Sequence, residues 1–261
     1  MPMRNIRLTI EYDGTNFLGW QIQTKNSRTV QGEIQKALKK IFKKSIRLIG
    51  SGRTDRGAHA IGQVANFKTN TKLKTAVILR ALNAHLPPDI VITDAADVPL
   101  NFHSRYSAKS KTYRYAILNR NVPDVLTRNF CYFYPRKLNV SLMRREAKHM
   151  TGRKDFRSFM AADPSSKDRE RSTIRTIKRL VIRKNGDVVR IDIEANSFLY
   201  KMVRNIVGTL IAIGSGKLPE GSIKNILSKK NRTCAGTTAP AHGLCLVNVT
   251  YEYRRMFLKS E

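Results

Sequence analysis

The sequence predicts an α+β fold of two similar halves, each ferredoxin-like (RRM-like), with mixed, mainly antiparallel sheets joined around a central basic cleft. Three observations carry this. Strand and helix periods follow the order β-α-β-β-α-β over residues 4–98. The same rhythm returns after residue 107. The chain has 261 residues, 41% of them hydrophobic, enough for one large domain or two half-sized ones and too apolar for a disordered chain.

In the first half, Arg4 to Asp13 reads as a strand closed by Asp13-Gly14. A helix follows: Thr29 is a candidate N-cap, and Val30, Ile34, Ala37, Leu38, Ile41 and Phe42 share one face at a period of 3.6. Ser45 to Gly50 and Gly62 to Lys68 read as strands around a glycine-rich segment. Thr75 to His85 reads as a helix stopped by Leu86-Pro87-Pro88, and Asp89 to Val98 as the next strand.

In the second half, the tyrosine-rich run Ser110 to Leu118 reads as a strand and Asn139 to Met150 as a helix. Thr176 to Ala195 reads as a hairpin, with Asn185-Gly186 as a two-residue type I′ turn between β-branched runs. Leu199 to Ile213 is an apolar helix ended by Gly214-Ser215-Gly216. Ser222 to Leu227 reads as a short helix, Leu244 to Tyr253 as a last strand, and Met160 to Ser172 as a polar loop insertion. The boundary falls between residues 98 and 107, giving halves 1–104 and 105–261.

Charge narrows the partner. Lys and Arg number 49 against 19 Asp and Glu, a formal charge of +30. The basic residues run through the whole chain, from Lys39, Lys40, Lys43 and Lys44 to Lys229, Lys230, Arg254 and Arg255, so this is no basic tail. A body this charged repels itself, and a phosphate backbone relieves that repulsion. Nucleic acid is the expected partner. A membrane is not, since no run of 18 apolar residues and no basic amphipathic anchor occurs. Cys131, Cys234 and Cys245 form no CxxC and the N-terminus has no apolar signal core, which fits a reducing cytoplasm. The five histidines form no HExxH pair, and neither a GK[ST] P-loop nor a GxGxxG is present. No metal and no cofactor are expected.

One segment carries chemistry: Gly50-Ser51-Gly52-Arg53-Thr54-Asp55-Arg56-Gly57-Ala58-His59. Its glycines permit a tight exposed path, and Arg53 and Arg56 flank a single carboxylate, Asp55. Taken alone, the loop is equally a plain turn in which Asp55 caps a backbone N–H.

Further runs remove that ambiguity. Glu11-Tyr12-Asp13-Gly14, Gly19-Trp20-Gln21, Gly52 to His59, Phe102 to Ala108, Tyr113-Arg114-Tyr115, Met202 to Gly208 and Gly243-Leu244 together resemble the tRNA pseudouridine synthase A family over nearly the whole chain. Ala58 stands where that family usually has Val. The resemblance implies a cofactor-free isomerase that detaches uracil from C1′ of a tRNA uridine, turns it and rejoins it through C5. It implies action on the 3′ side of the anticodon arm, by a homodimer. It makes Asp55 the essential carboxylate and Arg204 its ion-pair partner. The resemblance also implies that Tyr113 packs on the target base and that Leu244 forms the opposite wall. Arg53, Arg56, His59 and Arg105 are further candidate substrate-binding residues, and Trp20 is structural.

The chemistry agrees. Glycoside hydrolysis ordinarily uses two carboxylates, one of which activates water. An isomerisation must exclude water, and one enclosed carboxylate suits that. Burial opposes ionisation, so a fixed cation beside Asp55 is expected. Whether Asp55 attacks the sugar, adds to the ring or removes a C2′ proton stays open. Two other readings are a non-catalytic RNA-binding module, which gives no reason for Asp55 in that loop, and an RNA N-glycosylase, which leaves abasic sites.

Overall fold

A computed structural model describes residues 2–23, 27–162 and 172–252. The first half runs β1 (Arg4–Tyr12), α1 (Val30–Phe42), β2 (Ile49–Gly50), β3 (His59–Thr69), α2 (Thr75–His85) and β4 (Ile90–Val98). Then come β5 (Ala108–Leu118), β6 (Tyr132–Phe133), α3 (Val140–Lys148), β7 (Gly152–Asp155), β8 (Ile174–Asn185) and β9 (Val188–Ala195). The chain ends with α4 (Met202–Gly214), α5 (Ser222–Lys229) and β10 (Leu244–Tyr251).

The expected elements all form, with differences that have physical causes. The strand expected over 45–50 shrinks to Ile49–Gly50, while the following one begins three residues early, at His59. The hairpin turn is displaced by one residue. Asn185 pairs with Val188, so the loop is Gly186-Asp187. Gly186 has φ 54° and Asp187 is not in the left-handed region, which excludes type I′ and suits the type II′ preference for Gly at the first loop position. Most of the polar insertion expected over 160–172 lies outside the described residues, as does Tyr253.

The ten strands of the described residues form one continuous sheet, eight of them in the order β4-β1-β3-β10-β5-β9-β8-β7, with β2 added on β3 and β6 on β5. Each half contains the ferredoxin order within it: β4-β1-β3-β2, then β10-β5-β9-β8. Neighbours are antiparallel except at β5–β6 and at the seam, where Cys245 and Leu246 of β10 run parallel to His59 and Ala60 of β3. Because β2 is so short, it covers only Asn66 and Ala65 of β3 and leaves the start of that strand for β10.

Alternation explains the packing. Ile6, Leu8, Ile10 and Tyr12 of β1 point to one face and are buried. That face receives α1 through Val30, Ile34, Ala37 and Leu38, and the Thr29 hydroxyl caps the helix by accepting the Gly32 N–H at 3.2 Å. Helix α4 differs: eleven of its thirteen residues are buried, so it is a core helix rather than an amphipathic one.

Candidate active site

Asp55 lies in the connection from β2 to β3, and backbone bonds fix that connection from several sides. Trp20 N–H donates to Thr54 O at 3.2 Å, Gly57 N–H to Phe17 O at 3.3 Å, and Ala58 N–H to Asp55 O at 3.1 Å. The Thr54 hydroxyl bonds Tyr12 Oη at 2.8 Å, and the Gln63 amide donates to Gly52 O at 3.0 Å. Trp20 is buried beneath the loop, with its ring 6.3 Å from that of Tyr12, a packing role.

Arg204 Nη1 donates to Asp55 Oδ2 at 2.6 Å, across 149 residues of sequence. The two side chains are 15% and 20% exposed, partly withdrawn from water yet reachable. Arg204 Nε donates to Ala239 O at 2.7 Å, so the guanidinium is held in two directions. A cation in the first turn of a helix works against the helix dipole, so this arginine does not serve α4. Arg204 and Gly208, one turn apart on α4, lie under the strap over residues 236–240. A Cβ on Gly208 would stand 1.7 Å from Thr237 O, so this close approach needs glycine.

Asp55 Oδ1 has no protein hydrogen-bond partner among the described residues. One carboxylate oxygen is therefore anchored and the other available.

Tyr113 is on β5, buried, with its ring edge-on to Phe198 at 5.1 Å. Its hydroxyl has no protein partner among the described residues. Burial first, then the neighbouring Tyr12 and Asp55, hold that hydroxyl well above its usual pKa, so it stays protonated. Leu244 opens β10 opposite Tyr115, two pairing steps from the Tyr113–Leu246 pair. It follows the short turn Ala241–Gly243, whose Ala241 packs near Gly57 of the Asp55 loop.

The remaining candidates divide. Arg53 and Arg56 are exposed on the loop, and Arg105 is exposed on the segment joining β4 to β5. His59 is buried on β3. Its Nδ1 accepts the Gly14 N–H at 3.0 Å, and its Nε2 faces Asn129 O at 2.8 Å and His242 O at 3.1 Å. Those carbonyls require the Nε2–H tautomer, and the ring pins three segments together.

Lys111 was not expected. Its Nζ donates to Ser51 O at 2.5 Å at the root of the Asp55 loop. The signal was present in the sequence, since Lys111 sits two residues before Tyr113 on the same strand face.

No helix among the described residues is long and apolar enough to cross a membrane, and they contain no cluster of three His, Cys, Asp or Glu that could hold a metal ion.

A sequence profile described as tRNA pseudouridine synthase matches residues 8–107 and 147–252. The tRNA pseudouridine synthase A of Thermoanaerobacter sp. (strain X514) is 50% identical over 249 residues, covering 95% of this chain and all of that protein. The protein of that name from Caldicellulosiruptor bescii is 48% identical with the same coverage. That of Halalkalibacterium halodurans is 46% identical over 243 residues, 93% of this chain and 90% of that one. With the matched profile spanning both strands of the seam, the Asp55 loop and the Arg204 helix, the chain belongs to the tRNA pseudouridine synthase family.

Proposed function

We propose that this chain isomerises uridine to pseudouridine on the 3′ side of the tRNA anticodon arm, with Asp55 as the essential carboxylate and no cofactor. The observation that carries this reading is the Asp55 carboxylate, one oxygen held 2.6 Å from Arg204 and the other without a hydrogen-bond partner among the described residues. In the reaction the N1–C1′ bond breaks and a C5–C1′ bond forms. The C5 hydrogen leaves as a proton, and N1 gains one, so substrate and product are isomers. Asp55 is the group that engages the sugar or the ring. Arg204 offsets its charge and fixes its direction. Tyr113 supplies an aromatic face for a base taken out of its stack, and Leu244 the apolar wall across from it. Arg53, Arg56 and Arg105 contact phosphates, which position the RNA without reading its sequence. His59 supports the loop.

The halves 1–104 and 105–261 are the two repeats of this fold, and the site lies where they meet. The working unit is a homodimer in the cytoplasm. Val122, Val125 and Leu126, all strongly exposed on one segment, offer an apolar surface to a second copy, and the three cysteines are unpaired, as a reducing compartment favours.

The test uses unmodified tRNA tritiated at uracil C5. Release of tritium with the RNA chain intact, lost in Asp55→Asn, is the expected outcome. Tight binding without release selects the RNA-binding module, and free uracil the glycosylase.

A further inference from the structure

A second feature lies beside the Asp55 loop. Tyr106 is 76% exposed, yet it is not on a loose loop. Its turn is closed by Ser107 N–H on His103 O at 2.9 Å and His103 N–H on Ser107 Oγ at 3.1 Å. Ser104 ties the turn inward: its N–H donates to Asn66 Oδ1 at 2.9 Å, its hydroxyl to Ile49 O at 2.5 Å, and its carbonyl accepts the Tyr251 hydroxyl at 2.7 Å. Ile49 belongs to β2, the strand that leads into the Asp55 loop. The Tyr106 ring is thus presented to solvent on a rigid mount.

Two side chains of its own turn border the ring. His103 stacks on it at 4.3 Å between centroids, and Arg105 Cζ lies 5.7 Å from its centre. Cations gather here. Arg47 and Arg105 are exposed, and Lys111 reaches Ser51 O. Among the described residues, no ion pair or side-chain bond to a carboxylate involves Arg47, His103, Arg105 or Lys111. On the neighbouring strands the pattern is the opposite, with Arg4 on Asp97, Arg7 on Asp94 and Arg114 on Asp192. Burial first, and then the Arg105 and Arg47 charges, lower the His103 pKa, which keeps the ring uncharged at neutral pH and able to stack. An exposed aromatic ring bordered by a cation matches an unpaired base and its adjoining phosphate.

We propose that Tyr106, with Arg105 beside it, is a stacking platform for an unpaired tRNA base next to the target nucleotide, with the Arg105 cation taking the adjoining phosphate. This inference rests on the isomerase reading for its substrate but concerns a separate contact. The platform binds the RNA and takes no part in bond changes at the target uridine.

The experiment compares Tyr106→Ala, Tyr106→Leu and Tyr106→Phe. Affinity for an unmodified tRNA transcript is read by fluorescence anisotropy at fixed salt, and turnover by tritium release. Loss of one stacked base is expected to weaken binding about 10-fold in Y106A and Y106L. Y106F keeps the ring and stays within about twofold of wild type. KM rises with the loss of affinity while kcat holds, and melting temperatures match because the side chain is exposed. Wild-type affinity in Y106A overturns the platform, as does Y106F binding as weakly as Y106A. If wild type binds tRNA in a Tyr106-dependent way but releases no tritium, the platform stands and the isomerase reading fails.

Discussion

The Asp55 carboxylate and the Arg204 guanidinium meet at 2.6 Å, and they come from opposite halves of the chain. Each is immobilised by its own half, Asp55 by the Thr54 and Ala58 backbone bonds and Arg204 by Ala239 O. The pair therefore exists only when the β3–β10 seam is closed. Asp55→Asn keeps the shape and removes the charge. Turnover is expected to fall by at least ~10³-fold, with tRNA affinity within a few-fold of wild type. Single-turnover tritium release beside a binding isotherm separates the two, and an active Asn variant rejects Asp55 as the essential group.

Arg204→Lys retains a positive charge but cannot donate in two directions from a planar group. A lysine can reach Asp55 or Ala239 O, and not both in the geometry seen here. The expected result is a drop in kcat of roughly 10- to 100-fold with little change in KM. Equal losses in Arg204→Lys and Arg204→Met would mean that charge contributes nothing.

Gly208 tests the same pair at a distance. An alanine Cβ would fall 1.7 Å from Thr237 O, so the strap carrying Ala239 must move. Gly208→Ala is expected to cost about 1–3 kcal/mol in stability and to lower kcat as well, because Ala239 O orients Arg204. Urea melts and turnover on the same preparation check this. Lost stability with unchanged kcat would uncouple the strap from the site.

Much of this arrangement was legible in the sequence, and the division has a physical basis. Periods of 2 and 3.6 are local, so β1, α1 and α4 could be read from residues such as Ile6-Leu8-Ile10 and Val30-Ile34-Leu38. The ferredoxin order of each half followed from the sequence of those elements. Pairing across the seam has no local signature: nothing near His59 announces Cys245 as its parallel partner, and nothing near Gly208 announces Thr237 O. The Asp55 loop stood out by composition, and its partner Arg204 came through family resemblance rather than spacing. Lys111 does not stand out among strand lysines, which are ordinarily solvated, and only the fold bends the loop root over it. The hairpin turn slipped by one residue because Asn-Gly and Gly-Asp are both good loop pairs, and the register of the flanking valines decided between them.

Glu146 makes a prediction about stability alone. It is 2% exposed, and its two carboxylate oxygens accept Gly221 N–H at 2.8 Å and Ile223 N–H at 3.0 Å, capping α5 from α3. Glu146→Ala leaves those amides unpaired and should cost about 2 kcal/mol, with kcat unchanged. A shifted urea midpoint with wild-type turnover is the expected pair of results.

Lys111 predicts opposite pH trends for folding and for RNA binding. Burial, aided by the Arg105 charge, lowers its ammonium to about 8 from an ordinary 10.5. Between those values the unfolded chain holds a proton that the folded chain has released. Stability relative to Lys111→Met is therefore expected to rise from pH 8 to 10.5 and to stay level below pH 8, where both states are protonated. Only the charged form at the root of the Asp55 loop attracts RNA phosphate, so the affinity advantage of wild type over Lys111→Met should decline as pH rises through about 8. Denaturant melts and anisotropy titrations across pH 7 to 10 measure both. Trends of the same sign would show that the ammonium does not face the RNA, and a flat stability difference would place Lys111 in water rather than under the loop.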